Sequence, residues 1–335
     1  MLSREKAEFD PARLFAGWND LPGLLLAVSG GPDSMALLRL AARWRACGAR
    51  VPLFVATVDH GLRPESAAEA AQVGAWAREL TLPHATLVWR GARPQTAVQA
   101  RARAARHQLL FAHALEIGAV AVATAHHADD QWETILLRLA RGSGLNGLAG
   151  MAREQNFHGG RVIRPLLGLT KQALVDFCRA EGQAFFDDPS NANPVYARAR
   201  LRALAGPLRA FGLTNENLQK LADRAEKAEA ALDGAARDFF ARAHLAPGEY
   251  DLAVAASPPL AIFERFLALA AAEVAGAPPS RLERIESLAL RLHAALEAGA
   301  PCRATLGGCL VRLGPKKKLK LSLEKPRNRG NSIKL

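Results

Sequence analysis

The sequence predicts an α/β fold with a doubly wound parallel sheet, followed by a second, mainly helical C-terminal domain. Three observations carry this. Residues 23–140 alternate short apolar runs with longer helix-patterned segments. The first apolar run, LLLAV at 24–28, ends in SGGPDS at 29–34 and passes straight into the helix-like MALLRLAARW. Polar clusters recur where the runs stop: 29–34, Asp59-His60-Gly61, and 126–133. Continuous apolar strands separated by helices imply a parallel sheet covered on both faces, joined by right-handed crossovers. Ligands of such sheets sit beyond the carboxyl ends of the strands, so the three clusters are expected to share one site.

The elements follow in order. Strands are predicted at 24–28, 53–59, 84–89 and 119–125, and helices at 34–47, 65–80 and 96–117. The glycine-rich stretch 142–151 reads as loop, and RPLL at 164–167 as a strand leaving the site. Thr170 suits the N-cap of a helix over 171–181, with Gly182 at its end. The stretch 185–202 is turn-rich, then basic. A long helix is expected over 214–243, with a packing seam at Leu218, Leu221, Ala225, Ala228, Leu232, Ala235 and Phe239. Pro278-Pro279-Ser280 with Glu283 reads as a helix start with a capping box. Alternation and glycine turns near the end give short strands. The expected domains are 1–210, catalytic, and 211–335, mainly helical with short strands and a basic tail.

Composition bounds the function. Half of the 335 residues are apolar, enough for real cores, and no apolar run is long enough to span a bilayer. The charged N-terminus lacks a signal-peptide apolar block, so a cytoplasmic location is expected. Cys47, Cys178, Cys302 and Cys309 form no CxxC pair, which suits a reducing compartment and argues against a zinc site or a thiol relay. The net charge of +12 favours an anionic macromolecular partner. Residues 316–335 hold eight Lys/Arg against one acid, which reads either as a binding tail or as a solvated, partly disordered end.

The segment 29–34 has a direct physical meaning. Gly30 and Gly31 lack Cβ atoms, so backbone and ligand can approach closely. Unpaired N–H groups at the helix start favour an anion, and Ser29 and Ser34 add hydroxyls. The expected guest is a phosphate or pyrophosphate. The loop is neither GxxxxGK[ST], having no lysine, nor GxGxxG. HHADDQWET at 126–134 gathers Asp129, Asp130 and Glu133 at a helix start, with Asp130 and Glu133 on one face. Two uses stay open: holding Mg²⁺ on ATP phosphates, or binding a cationic substrate. Arg103 and Arg106 are three apart on a basic helix, and Arg198, Arg200 and Arg202 alternate after the turn-rich stretch. Both sets suit phosphate contact or a solvated face.

SGGPDS resembles the SGGxDS loop of the PP-loop ATP pyrophosphatases. SGGPDS, VDHGLRPES, ARAARH, ATAHHADDQWET, RGSGLNGLAGM, RPLL, DDPSN and RARLR together occur in the order seen in the tRNA(Ile)-lysidine synthase family, over about 23–205. The resemblance implies an adenine-nucleotide-hydrolase-like N-domain. It implies use of ATP to adenylate C2 of the wobble cytidine in an isoleucine tRNA with a CAU anticodon. Free L-lysine then displaces AMP through its ε-amine, giving lysidine, AMP and pyrophosphate. Carried onto this sequence, Ser29, Gly30, Gly31, Pro32, Asp33 and Ser34 bind ATP. Asp33 and Asp129 hold Mg²⁺, and Asp130 and Glu133 bind lysine. Asp33, Arg106, His126 and Asp130 are catalytic, and Arg103, Arg198 and Arg202 contact tRNA or nucleotide. The sequence departs from the family at Ala199, where asparagine is frequent, and at His107, where tyrosine is. The C-terminal domain resembles the family's first one and is expected to bind tRNA; the length suggests no full second one. No membrane partner is expected, and a homodimer stays open. The alternatives are a cytidine-thiolating PP-loop enzyme and a non-catalytic nucleotide-binding regulator.

Overall fold

In the computed structural model of the chain the described residues are 8–61, 64–90, 98–157, 160–187, 197–254, 258–279 and 281–324, without the side chains of 98–100 and 103. The chain divides into two compact units, Met1–Asp223 and Arg224–Leu335.

The first unit begins with a short helix α1 (Pro11–Leu14), capped by the Asp10 carboxylate on the Ala12 N–H. Then come β1 (Leu24–Ala27), α2 (Pro32–Ala46), β2 (Leu53–Asp59), α3 (Ser66–Glu79), β3 (His84–Val88), α4 (Val98–Glu116) and β4 (Ala121–Ala123). Next are α5 (Ala128–Leu139), α6 (Leu145–Leu148), β5 (Glu154–Phe157), β6 (Gly160–Ile163), α7 (Lys171–Ala180), α8 (Ala197–Ala203), α9 (Ala205–Ala210) and the start of α10 (Asn215–Ala243). The sheet order is β3-β2-β1-β4-β6-β5, parallel throughout except for the β5–β6 hairpin at one edge.

Period-two alternation explains the two-sided cover. Leu24, Leu26 and Val28 pack with Met35, Leu38 and Ala41 of α2 and with Leu174 and Phe177 of α7. Leu25, Ala56 and Val122 pack on Leu110 and Ala114 of α4. Each fully buried leucine contributes about 1.5–3 kcal/mol by leaving water. The chain builds β1, β2 and β3 to one side and then crosses to β4 on the other. The strand order therefore reverses between β1 and β4, where parallel sheets open a crevice.

Several expectations need correction. RPLL is not a strand: the strand is β6, ending at Ile163, and 164–167 turn away from it. The glycine-rich 142–151 contains the helical turn α6. The helix expected at 171–181 is α7, with the Thr170 hydroxyl accepting from the Ala173 N–H, and Gly182 follows its C-cap. On α10, Leu218, Ala225 and Phe239 are buried as expected, but Ala222 and Ala236 take the places given to Leu221 and Ala235, and Leu221 is exposed. Small residues carry the inner stripe there, so hydropathy alone misplaced it by one position. Helix α12 (Leu282–Glu297) has Arg281 as its N-cap, without a side-chain cap hydrogen bond among the described residues. Ser280, residues 62–63 of VDHGLRPES, and residues 188–196 lie outside the described residues.

The second unit holds the end of α10, β7 (His244–Ala246), β8 (Glu249–Asp251), α11 (Leu260–Ala275), α12, β9 (Cys302–Leu306), β10 (Cys309–Leu313) and β11 (Lys318–Leu323). The antiparallel sheet order is β7-β8-β11-β10-β9. Tyr250, Leu306, Val311, Leu313, Leu319 and Leu321 point inward onto Phe263, Phe266 and Leu267 of α11 and Leu288 and Leu292 of α12. The reading of 316–335 as a solvated end fails for its first part. β11 lies between β8 and β10, and Leu319 and Leu321 are core residues. Residues 325–335 lie outside the described residues. No described helix is long and apolar enough to cross a membrane.

Candidate active site

The loop after β1 is closed by its own hydroxyls. Ser34 Oγ accepts from the Ser29 N–H at 3.1 Å and donates to the Gly31 carbonyl at 2.9 Å, while the two serine hydroxyls lie 3.3 Å apart. Gly30 takes φ +87°, and a Cβ there would meet the Phe186 ring at 2.7 Å. The Phe186 N–H donates to the Gly30 carbonyl at 2.9 Å, so the 185–187 segment braces the loop. Helix α2 starts at Pro32 with Gly31 as N-cap and no side-chain cap, which leaves its first-turn amides available to an anion.

The segment after β4 meets this loop across the crevice. His127 is buried at the start of α5, with Nε2 3.6 Å from Asp33 Oδ2 and 3.5 Å from Asp130 Oδ2, and Nδ1 3.7 Å from Asp129 Oδ2. Burial alone would lower its pKa, but Asp33, Asp130 and Asp129 outweigh that and raise it. The Asp130 carboxylate accepts from the His127 N–H at 3.2 Å in a capping box, and Arg198 Nη1 lies 3.5 Å from its other oxygen.

Glu133 is 3% exposed and accepts from Arg202 Nε at 2.5 Å, with Arg198 Nη1 at 3.6 Å. Arg198 also donates to the Thr134 hydroxyl at 3.3 Å. Asp33, His127, Asp130, Arg198, Glu133 and Arg202 thus form one continuous charged chain from the loop to α8. The cationic ligand expected for Asp130 and Glu133 is here the protein's own pair of arginines.

Asp129 faces elsewhere. Its oxygens accept from the Lys171 N–H at 2.8 Å, Arg209 Nη2 at 2.6 Å and Asn215 Nδ2 at 3.1 Å. Burial alone would raise its pKa, yet these donors and His127 hold it below the usual carboxylate range. By contrast, Asp33 Oδ1 is buried without a hydrogen-bond partner among the described residues. Lys171 Nζ stands 3.8 Å from Asp33 Oδ2.

A family model described as a PP-loop domain matches residues 6–208. The tRNA(Ile)-lysidine synthase of Methylobacterium sp. strain 4-46 is 49% identical over 92% of this chain and 90% of its own length. The protein of that description from Bradyrhizobium sp. strain BTAi1 is 44% identical over 95% of this chain and 94% of its own length. This chain belongs to the tRNA(Ile)-lysidine synthase family. Among solved structures it is similar to the U34-tRNA thiolase NcsA of Methanococcus maripaludis, with a TM-score of 0.56 and 13% identity over 67% of this chain and 78% of that one. At that identity the likeness shows the shared fold alone.

The remaining residues of this lysidine synthase family member sit at neighbouring strand ends. His60, just past β2, is 3.4 Å from both Nε and Nη2 of Arg106 on α4, and its ring packs edge-on to Trp89 at 6.0 Å. Burial, and then Arg106, lower the His60 pKa. His126 Nδ1 is 2.8 Å from the Thr124 hydroxyl. Arg103 lies on α4, and its side chain is outside the described set. Sequence reasoning chose His126 and passed over His127, which makes the contact to the loop. Adjacent side chains in extended backbone point to opposite sides, so one of the two had to face the loop, but the pattern did not say which. Lys171, Arg209, Asn215 and Phe186 were also missed, since each comes from a distant segment with no local signature.

Proposed function

We propose that the chain binds ATP on the 29–34 loop, adenylates the wobble cytidine of isoleucine tRNA, and joins free L-lysine to C2 of that base. The observation that carries this reading is the approach of His127 Nε2 to Asp33 Oδ2 at 3.6 Å, which brings the phosphate loop and the acid-rich helix start together at the sheet's switch point. Neither element alone distinguishes a nucleotide binder from an enzyme; their contact supports a site where an activated phosphate would lie beside groups suited to a cationic amine.

The uncapped start of α2 and the Ser29 and Ser34 hydroxyls suit the phosphates. The cytidine O2 attacks the α-phosphorus and pyrophosphate leaves. The lysine ε-amine then attacks C2, AMP departs with the former O2, and the amine gives up its protons. Asp33 Oδ1, a carboxylate oxygen that is buried and has no hydrogen-bond partner among the described residues, fits a Mg²⁺ ligand. Asp129 does not fit, because donors already occupy both of its oxygens. Among the described residues no group of three or more His, Cys, Asp or Glu could hold a metal by itself, so phosphate oxygens and water would complete the shell. Bound there, Mg²⁺ would neutralise charge on the phosphates.

Glu133 and Asp130 support the lysine assignment, since a carboxylate with 3% exposure demands a cation. Arg198 and Arg202 meet that demand here and can turn to nucleotide phosphate when the amine arrives. Arg106 and His126 would line the reacting base. The second unit and its basic residues are assigned to tRNA. Sulfur transfer has little support. The Cys178 thiol donates to the Pro32 carbonyl at 3.4 Å, and burial pushes its pKa up to about 12, so it stays protonated.

The test is incubation with ATP, labelled lysine and an isoleucine tRNA transcript. Label should enter the RNA only when ATP is present, with pyrophosphate released. Failure to label RNA would overturn the reading.

A further inference from the structure

Two carboxylates from different helices share one ring nitrogen of His127. Nε2 lies 3.6 Å from Asp33 Oδ2 on α2 and 3.5 Å from Asp130 Oδ2 on α5. The second oxygen of each acid points to another task. Asp130 Oδ1 faces Arg198 Nη1 at 3.5 Å. Asp33 Oδ1 is buried and has no hydrogen-bond partner among the described residues. The nearby cation Lys171 also addresses Asp33 through Oδ2, at 3.8 Å.

The imidazole is 4% exposed. A ring nitrogen that faces two acceptors must carry a proton, because a lone pair there would repel both. The Nε2–H is therefore shared by two carboxylates that would otherwise repel each other at short range in a poorly solvated crevice. Asp130 is pinned to the start of α5, since its Oδ2 accepts from the His127 backbone N–H at 3.2 Å. The ring carries that fixed point across to the phosphate loop.

We propose that His127 is a positioning residue: its Nε2–H holds Asp33 Oδ2 so that Oδ1 is presented to Mg²⁺ on the ATP phosphates. The inference rests on the ATP and Mg²⁺ reading above, and gives the contact between loop and helix start a task of its own. His127 acts through Asp33 and not on the metal or the phosphates. Loss of such an outer hydrogen-bond partner of a ligating carboxylate weakens metal affinity by about 10–100-fold.

The experiment is calorimetric ATP titration of the full chain without RNA, once with Mg²⁺ and once with EDTA. The ratio of the two affinities isolates the metal-dependent part of binding. His127→Asn keeps a favoured N-cap residue for α5, so the helix start should persist. Its amide stops short of the Nε2 position, whereas the amide of His127→Gln reaches it. His127→Asn should cut the Mg²⁺-dependent increase in affinity by about tenfold or more. Its affinity in EDTA should stay near wild type, because the 29–34 loop is untouched. His127→Gln should recover most of the increase. Asp33→Asn should lose the increase as well, and adding His127→Asn to it should remove nothing further, since residues acting through one another are not additive.

An unchanged Mg²⁺-dependent increase in His127→Asn, an equal fall with and without Mg²⁺, or a further loss in the double variant overturns the positioning role; wild-type lysine incorporation would then still uphold the catalytic reading. If His127→Asn loses the increase but the wild-type chain joins no lysine to RNA, the positioning role stands and the lysine-joining reading falls. If Mg²⁺ does not strengthen ATP binding by the wild-type chain, the positioning role falls together with the metal assignment of Asp33.

Discussion

Arg202 donates through Nε to Glu133 Oε1 at 2.5 Å and joins a nearly buried carboxylate on α5 to a helix some seventy residues further along the chain. Removing the arginine leaves that carboxylate, among the described residues, with Arg198 at 3.6 Å. The Arg202→Ala protein should lose about 1–3 kcal/mol of stability, the range for a buried acceptor deprived of its donor. Glu133→Gln keeps an acceptor oxygen and should lose less. Urea unfolding of the two variants checks the order; an unchanged midpoint for Arg202→Ala would show the pair to be structurally idle.

Gly30→Ala meets two obstacles: the left-handed φ of +87° and the Phe186 ring 2.7 Å from the new Cβ. The backbone strain alone is about 1–2 kcal/mol. The loop should relax away from its anion-cradling shape and weaken ATP binding by about tenfold or more, 1.4 kcal/mol being a factor of ten. Calorimetric ATP titration measures it, and wild-type affinity would show that the cradle tolerates a methyl group.

Asp33→Asn should separate folding from chemistry. Asparagine keeps the shape but removes the charge that faces buried His127 at 3.6 Å, so it should cost about 1–3 kcal/mol in stability and still leave the chain folded. Pyrophosphate release should fall by about 10²–10³, the scale for losing one electrostatic group at a reacting phosphate. A near-wild-type rate would remove Asp33 from the metal and phosphate role.

β11 tests the basic tail. Leu321→Ala should destabilise the second unit by about 2–5 kcal/mol, whereas Ser322→Ala, its exposed neighbour, should stay within about 0.5 kcal/mol. Truncation before residue 318 deletes a strand from the middle of the sheet, so it should unfold that unit rather than simply trim a tail. Thermal melts of the point variants, and limited proteolysis of the truncation, report the difference.

Glu273 gives a pH dependence. Its carboxylate accepts from Tyr250 Oη at 2.6 Å and the Gly248 N–H at 2.9 Å, with His244 Nε2 at 2.9 Å. Burial alone would raise its pKa, but these partners lower it below the usual glutamate value. A depressed folded-state pKa means the stabilisation is full above the unfolded value and is lost as pH falls through the folded one. Wild type should therefore exceed Glu273→Gln in stability by most above the usual glutamate range, and the gap should close as pH falls through the lowered value. A stability gap that does not change with pH, measured by urea unfolding across a pH series, would show that Glu273 contributes nothing to the linkage.

The fold class was legible because the strands are continuous apolar runs and the helices begin at recognisable turns. SGGPDS announced its loop, and Thr170 its helix cap. Tertiary placement was less legible. His127 rather than His126 faces Asp33 because of a half-turn of extended backbone that no composition records. Asp129 looked like a metal ligand beside Asp130, yet contacts with Lys171, Arg209 and Asn215 turn it into a brace. The stripe on α10 runs through alanines, whose small apolar signal is easily overlooked. The alternation near the end announced β11, but its charge count hid that the alternate leucines are core.

The brace around α5 has a consequence for biosynthesis. Trp132, Ile135 and Leu136 are covered by Leu201, Leu208, Leu213, Leu218 and Ala222, and Trp132 Nε1 donates to the Leu213 carbonyl at 2.5 Å. A nascent chain can close its parallel sheet once β6 has emerged from the ribosome. The acid-bearing helix keeps an uncovered greasy flank until residues past 220 follow. Catalytic competence should therefore arrive late in translation, well after the nucleotide loop has taken shape.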